Sequence, residues 1–231
     1  MINCGPMTSP LSAAIFDLDG VLLDSEPLYT RATEIVLGRF GKTYDWALKR
    51  FIMGRSPMQG ATWLTQQLGL PISAEQYLLE RSIILKQTFR DCPAVVGAET
   101  LVRRLQALGF RLAVATSSER EMYDLKVSSH NWFGLFHSVI CGDDPRLARA
   151  KPAPDIFLLA AAELGARSDS CVVFEDSPAG VSAARTANMR VIARVAAPIV
   201  GSDLVGADLL ISDYEELDWA MLLPQAQLDR G

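Results

Sequence analysis

Asp17 and Asp19 stand one residue apart in IFDLDGVLLDSE, where an apolar run breaks at Gly20. Residues two apart on an extended segment share a side, so both carboxylates can face one crevice. A second acidic pair, Glu175–Asp176, ends the run VVF in the same way. Three or four carboxylates at one edge repel one another unless a divalent cation or a protonated partner intervenes. Hard oxygen ligands suggest magnesium, which takes few protein carboxylates and keeps positions for water and a substrate phosphate. Thr116, Ser117 and Ser118 follow the run LAVA, and Lys151 lies just ahead of a helix start in AKPAPDIF. Hydroxyls, backbone donors and an amine beside a positive helix end all favour an anion, and phosphate is the economical choice.

Short, mostly apolar runs carry these residues at their ends. The segments Ala13 to Phe16, Arg111 to Ala115, Ser138 to Cys141, Cys171 to Phe174, Arg190 to Ala193 and Asp208 to Ile211 read as strands of a parallel sheet covered on both faces. Helices fit between them: Glu99 to Leu108, stopping at Gly109; Pro154 to Leu164, stopping at Gly165; and one opened by Ser177 and Pro178 that runs to about Asn188. This alternation predicts an α/β fold, a doubly wound, Rossmann-like parallel sheet. Ligands of such sheets bind beyond the carboxyl ends of the strands, where the acids and Lys151 fall.

One segment breaks the alternation. Between Pro27 and Asp91 only helical stretches appear, near Leu28 to Phe40, Trp46 to Met53, Met58 to Leu68 and Ser73 to Phe89. The expectation is a small all-helical cap, residues 27–91, inserted into a core of residues 1–26 and 92–231, with a hinge where the chain leaves and returns at Cys92–Pro93.

Composition narrows the partners. The chain has 231 residues, 49% of them hydrophobic, enough for one large or two modest domains. A net charge of -5 argues against a nucleic-acid or anionic-membrane surface. Cys4, Cys92, Cys141 and Cys171 form no C-x-x-C pair and read as free thiols of a reducing compartment. No apolar run reaches membrane-span length, and Met1 to Ser12 lacks the pattern of a secretory signal. A cytoplasmic protein that takes a small molecule is expected, as a monomer, with a weak dimer as the alternative. His130 and His137 are too isolated for a metal cluster or a triad.

Taken in order, D-x-D-G after a strand, T-S-S, K-P, and E-D-S-x-x-G-x-x-A-A resemble the four motifs of the haloacid dehalogenase superfamily, and the insertion resembles that family's small helical cap. Within it, VICGDDPRLARAKPAPDIF and VVFEDSPAGVSAA look most like the group of pseudouridine 5′-phosphatases and glycerol-3-phosphatases. The resemblance implies a magnesium-dependent phosphatase of a small phosphomonoester, working through a phospho-aspartate. On matching positions, Asp17 would attack phosphorus, and Asp19 would protonate the leaving oxygen and then deprotonate water. Thr116, Ser117 and Lys151 would hold the phosphoryl oxygens. Magnesium would sit on the Asp17 carboxylate, the Asp19 backbone carbonyl and Asp176, with Glu175 beside it or one layer behind its ligands. Glu26, Tyr29 and Arg55 are candidates for contacting the leaving group from the cap, although each also reads as an ordinary surface or packing residue. Ala150 replaces the glycine that commonly precedes the lysine.

Three rival functions share parts of this pattern. A sugar phosphomutase of the same superfamily would have the same core, but such relatives place a histidine near the cap base, where this chain has Tyr29. A true haloacid dehalogenase needs no magnesium, which would leave the second acid of D-x-D superfluous. A non-catalytic phospho-receiver gathers similar groups at a sheet end but lacks the long helical insertion.

Overall fold

The computed structural model describes residues 10–52, 57–196 and 199–223. The strands are β1 (Ala13–Phe16), β2 (Arg111–Ala115), β3 (Ser138–Ile140), β4 (Cys171–Glu175), β5 (Arg190–Arg194) and β6 (Leu209–Ile211). They form one sheet in the order β3-β2-β1-β4-β5-β6, and every pairing is parallel. The sequence order reverses at β1, so β1 and β4 lie side by side at the centre and the ends of both open onto the switch point. All residues of β1 and β4 are buried, as the unbroken apolar runs require.

Alternation along β1 divides the core into two layers. Ala14 and Phe16 join Leu101, Val102 and Leu105 of α5 (Ala98–Ala107) on one face, with Phe174 stacked on Phe16 at 4.6 Å between ring centroids. Ala13 and Ile15 point to the other face, against α7 (Asp155–Glu163) and α8 (Pro178–Thr186). Asn188 ends the stretch after α8 with a φ of 58°, the left-handed conformation its position demanded.

The helical insertion contains α1 (Glu26–Gly38), α2 (Trp46–Ile52), α3 (Pro57–Leu68) and α4 (Ala74–Thr88). These helices bury a cluster of their own, in which Val36, Leu37, Ala61, Leu64 and Tyr77 meet. The expected end of the second helix, Met53, lies outside the described residues. The segments that leave and return run together: Asp24 N–H donates to the Pro93 carbonyl at 2.8 Å, and Leu23 pairs antiparallel with Ala94. One core helix had no counterpart in the sequence reading, α6 (Arg120–Val127), which buries only Tyr123 and Lys126. Among the described residues no helix is long and apolar enough to cross a membrane.

Candidate active site

Asp17 follows β1 directly, and its N–H donates to the Phe174 carbonyl of β4, which fixes it at the junction of the two central strands. The chain then turns sharply: Leu22 and Leu23 donate to the Leu18 carbonyl, and Gly20 has a φ of +78°. A Cβ at Gly20 would collide with the Asp176 carboxylate, so this position must be glycine for two reasons, its backbone angle and the close approach of the second acid. Arg194 Nη1 donates to the Gly20 carbonyl at 2.8 Å, and the Tyr214 hydroxyl donates to the Val21 carbonyl at 2.6 Å. Both bonds hold the turn from the sheet side.

A cavity of about 300 Å³ opens over these residues and is lined by Asp17, Asp19, Thr116, Ser117, Lys151 and Asp176, with Glu26 and Tyr29 at the cap side. The structure therefore brings together eight of the ten sequence-selected residues. Arg55 lies outside the described residues. Glu175 stands behind the others: it is buried, takes a hydrogen bond from Lys151 Nζ at 2.6 Å, and accepts the N–H groups of Asp176 and Ser177, each at 2.9 Å. Gly180 is close enough that a Cβ there would clash with this carboxylate. Glu175 thus anchors Lys151 and the loop that carries Asp176, while the cavity wall is left to its neighbours.

The cationic and hydroxyl groups are equally well tied. Lys151 Nζ donates to Asp17 Oδ1 at 2.6 Å and to the Ala115 carbonyl at 3.1 Å, and the Lys151–Pro152 peptide is cis. Thr116 is buried, and its Oγ1 accepts the Ser118 N–H at 3.0 Å, which leaves its own proton to donate. Glu26 pairs with Lys49 at 2.8 Å, so it shares its charge with a cap residue. His130 and His137 take structural bonds, to the Cys92 carbonyl and from the Leu112 N–H. Asp143 and Asp144 bind Arg120 and Arg146 outside the cavity.

Charge in the crevice is unbalanced. Burial pushes Asp17 up to about 7, and Glu175 and Asp19 add to the rise while Lys151 opposes it. Asp176 is raised well above the usual carboxylate range, by burial first and then by Glu175 and Asp17. Burial alone would also raise Asp19, but the charge of Lys126 and hydrogen bonds from Lys126, Ser25 and Ser118 outweigh it and hold that acid low. Lys151 is raised because Asp17 and Glu175 overcome the cost of burying the amine. Among the described residues no three His, Cys, Asp or Glu side chains gather as a metal site. The donor set is smaller: two carboxylates, Asp17 and Asp176, on one cavity wall, with Asp17 adding to the rise of Asp176. Two hard oxygen donors short of compensating charge fit an ion such as magnesium, which takes one or two protein carboxylates and keeps its waters.

Sequence reasoning missed three residues at this site. Ser25 donates to Asp19 Oδ1, and Lys126 reaches both oxygens of the same carboxylate. Arg194 lines the cavity from the end of β5, and its Nε is buried without a partner. A signal for Arg194 was present, since a charged residue closing an apolar run is the pattern that exposed Asp17. Nothing in the sequence pointed Lys126 inward.

Comparison with known proteins gives this geometry a family. A model described as haloacid dehalogenase-like hydrolase matches residues 11–188. The chain is 40% identical over 188 residues to (DL)-glycerol-3-phosphatase 2 of Arabidopsis thaliana, covering 79% of this chain and 78% of that one. It is 41% identical over 182 residues to a Drosophila melanogaster protein described as a pseudouridine-5′-phosphatase, covering 77% and 79%. Among solved structures, a candidate β-phosphoglucomutase of Thermotoga maritima superposes with a TM-score of 0.75 at 31% identity, covering 87% of this chain and 94% of that one. The chain belongs to the haloacid dehalogenase-like hydrolases, as one of that family's phosphatases.

Proposed function

We propose that the protein hydrolyses a small nucleoside, sugar or polyol phosphate, with Asp17 as nucleophile and Asp19 as acid and base. The observation that supports this most is the grip of Lys151 on Asp17 Oδ1 at 2.6 Å, inside the cavity that Asp19, Thr116 and Asp176 also line. One carboxylate oxygen is engaged by the amine, which orients the group and leaves the other for attack. In the first step, which starts from the protonated form of Asp19, an Asp17 oxygen bonds to phosphorus, the bond to the leaving oxygen breaks, and Asp19 delivers its proton there. In the second step water attacks the phospho-aspartate, Asp19 takes the water's proton, and phosphate leaves as the Asp17 carboxylate reforms. Thr116, Ser117 and Lys151 hold the phosphoryl oxygens through both steps, where preorganised donors contribute most. Asp17, Asp176 and the Asp19 carbonyl would hold magnesium, which neutralises phosphoryl charge when bound.

The cap, residues 27–91 on a core of residues 1–26 and 92–231, closes over the crevice and excludes water, and Glu26 at its base and Tyr29 within it contact the leaving group. The relatives' named activities support a nucleoside or polyol phosphate as substrate. Three buried free cysteines support a reducing, cytoplasmic setting, and we take the monomer as the working form.

The test is phosphate release from pseudouridine 5′-phosphate, glycerol 3-phosphate, sugar phosphates and nucleotides, with magnesium and with Asp17→Asn as control. Hydrolysis of at least one small monoester by the wild type alone is expected. Conversion to an isomeric sugar phosphate without phosphate release would make the protein a mutase, and equal rates in the variant would remove Asp17 from the chemistry.

A further inference from the structure

We propose that Lys126 is a positioning residue that sets Asp19 for proton transfer and ties that setting to the cap. The inference rests on Asp19 acting as acid and base. Lys126 comes from α6 of the core and is fully buried, an expensive place for an ammonium unless its charge is answered. Its Nζ lies 2.5 Å from Asp19 Oδ1, 2.8 Å from Oδ2, 2.9 Å from Ser118 Oγ and 3.1 Å from the Tyr29 hydroxyl. Ser118 also donates to Oδ2 at 2.9 Å, and Ser25 to Oδ1. Both oxygens of Asp19 are thus bracketed, and the carboxylate has one orientation rather than a range.

The remaining neighbours of Lys126 belong to the insertion. Its ammonium stands 4.6 Å from the centre of the Phe89 ring and 5.2 Å from that of Tyr29, close enough for cation–π attraction. Tyr29 lies in the first turn of α1, just past the segment that leaves the core, and Phe89 follows α4 where the chain returns. Phe89 also packs with Ala32 and Leu85, against Met122 and Leu125 of α6. A single side chain therefore touches Asp19 and one aromatic residue beside each linker. A displacement of the cap moves Tyr29 and Phe89, changes what holds the ammonium, and so alters the orientation of Asp19. A lysine that only neutralised a buried charge would not need a hydroxyl from the moving part.

Leaving-group dependence separates positioning from mere structure. p-Nitrophenolate departs without a proton, whereas phenolate, with an acidity close to tyrosine's pKa of about 10, needs one. The probes are therefore p-nitrophenyl phosphate and phenyl phosphate, and the quantity is the ratio of their kcat/KM values. Asp19→Asn should raise the ratio by about 100-fold, the low end of what a general acid supplies. Lys126→Met, which keeps the volume, should raise it about tenfold, and Lys126→Arg should restore part of the loss. An unchanged ratio in a folded Lys126→Met, with Asp19→Asn shifted, overturns the proposal and leaves Asp19 in its role. An unchanged ratio in Asp19→Asn overturns the role of Asp19 itself. If Lys126→Met shows no cooperative melting, Phe89→Leu decides, since Phe89 faces the ammonium at 4.6 Å and does not line the cavity: a rise of about threefold supports the coupling, and no rise removes it.

Discussion

Asp17 and Asp176 share a wall with too little positive charge between them, and that imbalance has a measurable consequence. An ion held by both needs both ionised, so protons compete with it. Burial raises Asp17 to about 7, against an ordinary value of 3.8, so below that pH this acid is increasingly protonated, and Asp176, raised in the same direction, adds to the competition. Magnesium affinity should therefore fall as the pH drops through neutrality, by at least about tenfold per pH unit once Asp17 is protonated, with proton release on binding. Calorimetry in buffers of different ionisation heat measures both. Affinity independent of pH across neutrality would show that the two carboxylates do not share the ion. Gly20→Ala should do comparable damage by geometry: a Cβ there occupies the space of the Asp176 carboxylate at a φ of +78°. We expect phosphatase activity to fall at least about 100-fold, since misplacement by 1 Å can cost that much. Near-normal turnover would mean that Asp176 can be displaced without consequence. At this scale the sequence was readable where a polar residue interrupts an apolar run. It was silent about Lys126, because a lysine on a short polar helix carries no mark of the partner it will find across the fold.

The elements that present these residues owe their form to local chemistry. The strands are legible because each is an apolar run too short to be a helix, and α5, α7 and α8 because a glycine, a proline or a serine punctuates them. Helix α6 escaped notice since Glu119 makes no side-chain cap, and only Tyr123 and Lys126 turn inward, too few for a readable periodicity. Helix α4 is the opposite case: Ser73 accepts from the Gln76 N–H at 3.2 Å while the Gln76 side chain accepts from the Ser73 N–H at 2.9 Å, a complete capping box. Ser73→Ala should cost about 1 kcal/mol in chemical denaturation and leave kcat unchanged, because the cap lies at the end of α4 remote from Phe89. A loss of kcat would show that the fit of the insertion depends on this helix end.

Across the whole molecule, the insertion and the sheet have separate apolar clusters, and the chain segments joining them lie side by side at Asp24 and Pro93. A core in which a short Gly/Ser linker replaces residues 27–91 should therefore fold cooperatively and bind magnesium, while losing the water exclusion that a closed cap supplies. Absence of a cooperative melt would place the boundary elsewhere. The sequence disclosed this division because four helical stretches in succession break a strand–helix alternation. It could not disclose how the two parts touch, since the seam of Ala32, Leu85, Phe89, Met122 and Leu125 joins residues from three distant stretches. The central claim, that the reaction passes through Asp17, is tested most directly by rapid acid quench during turnover, followed by borohydride reduction and peptide mass spectrometry. A reduced acyl phosphate at Asp17, absent from Asp17→Asn, is expected. Label on another side chain, or none while phosphate is still being released, would contradict it.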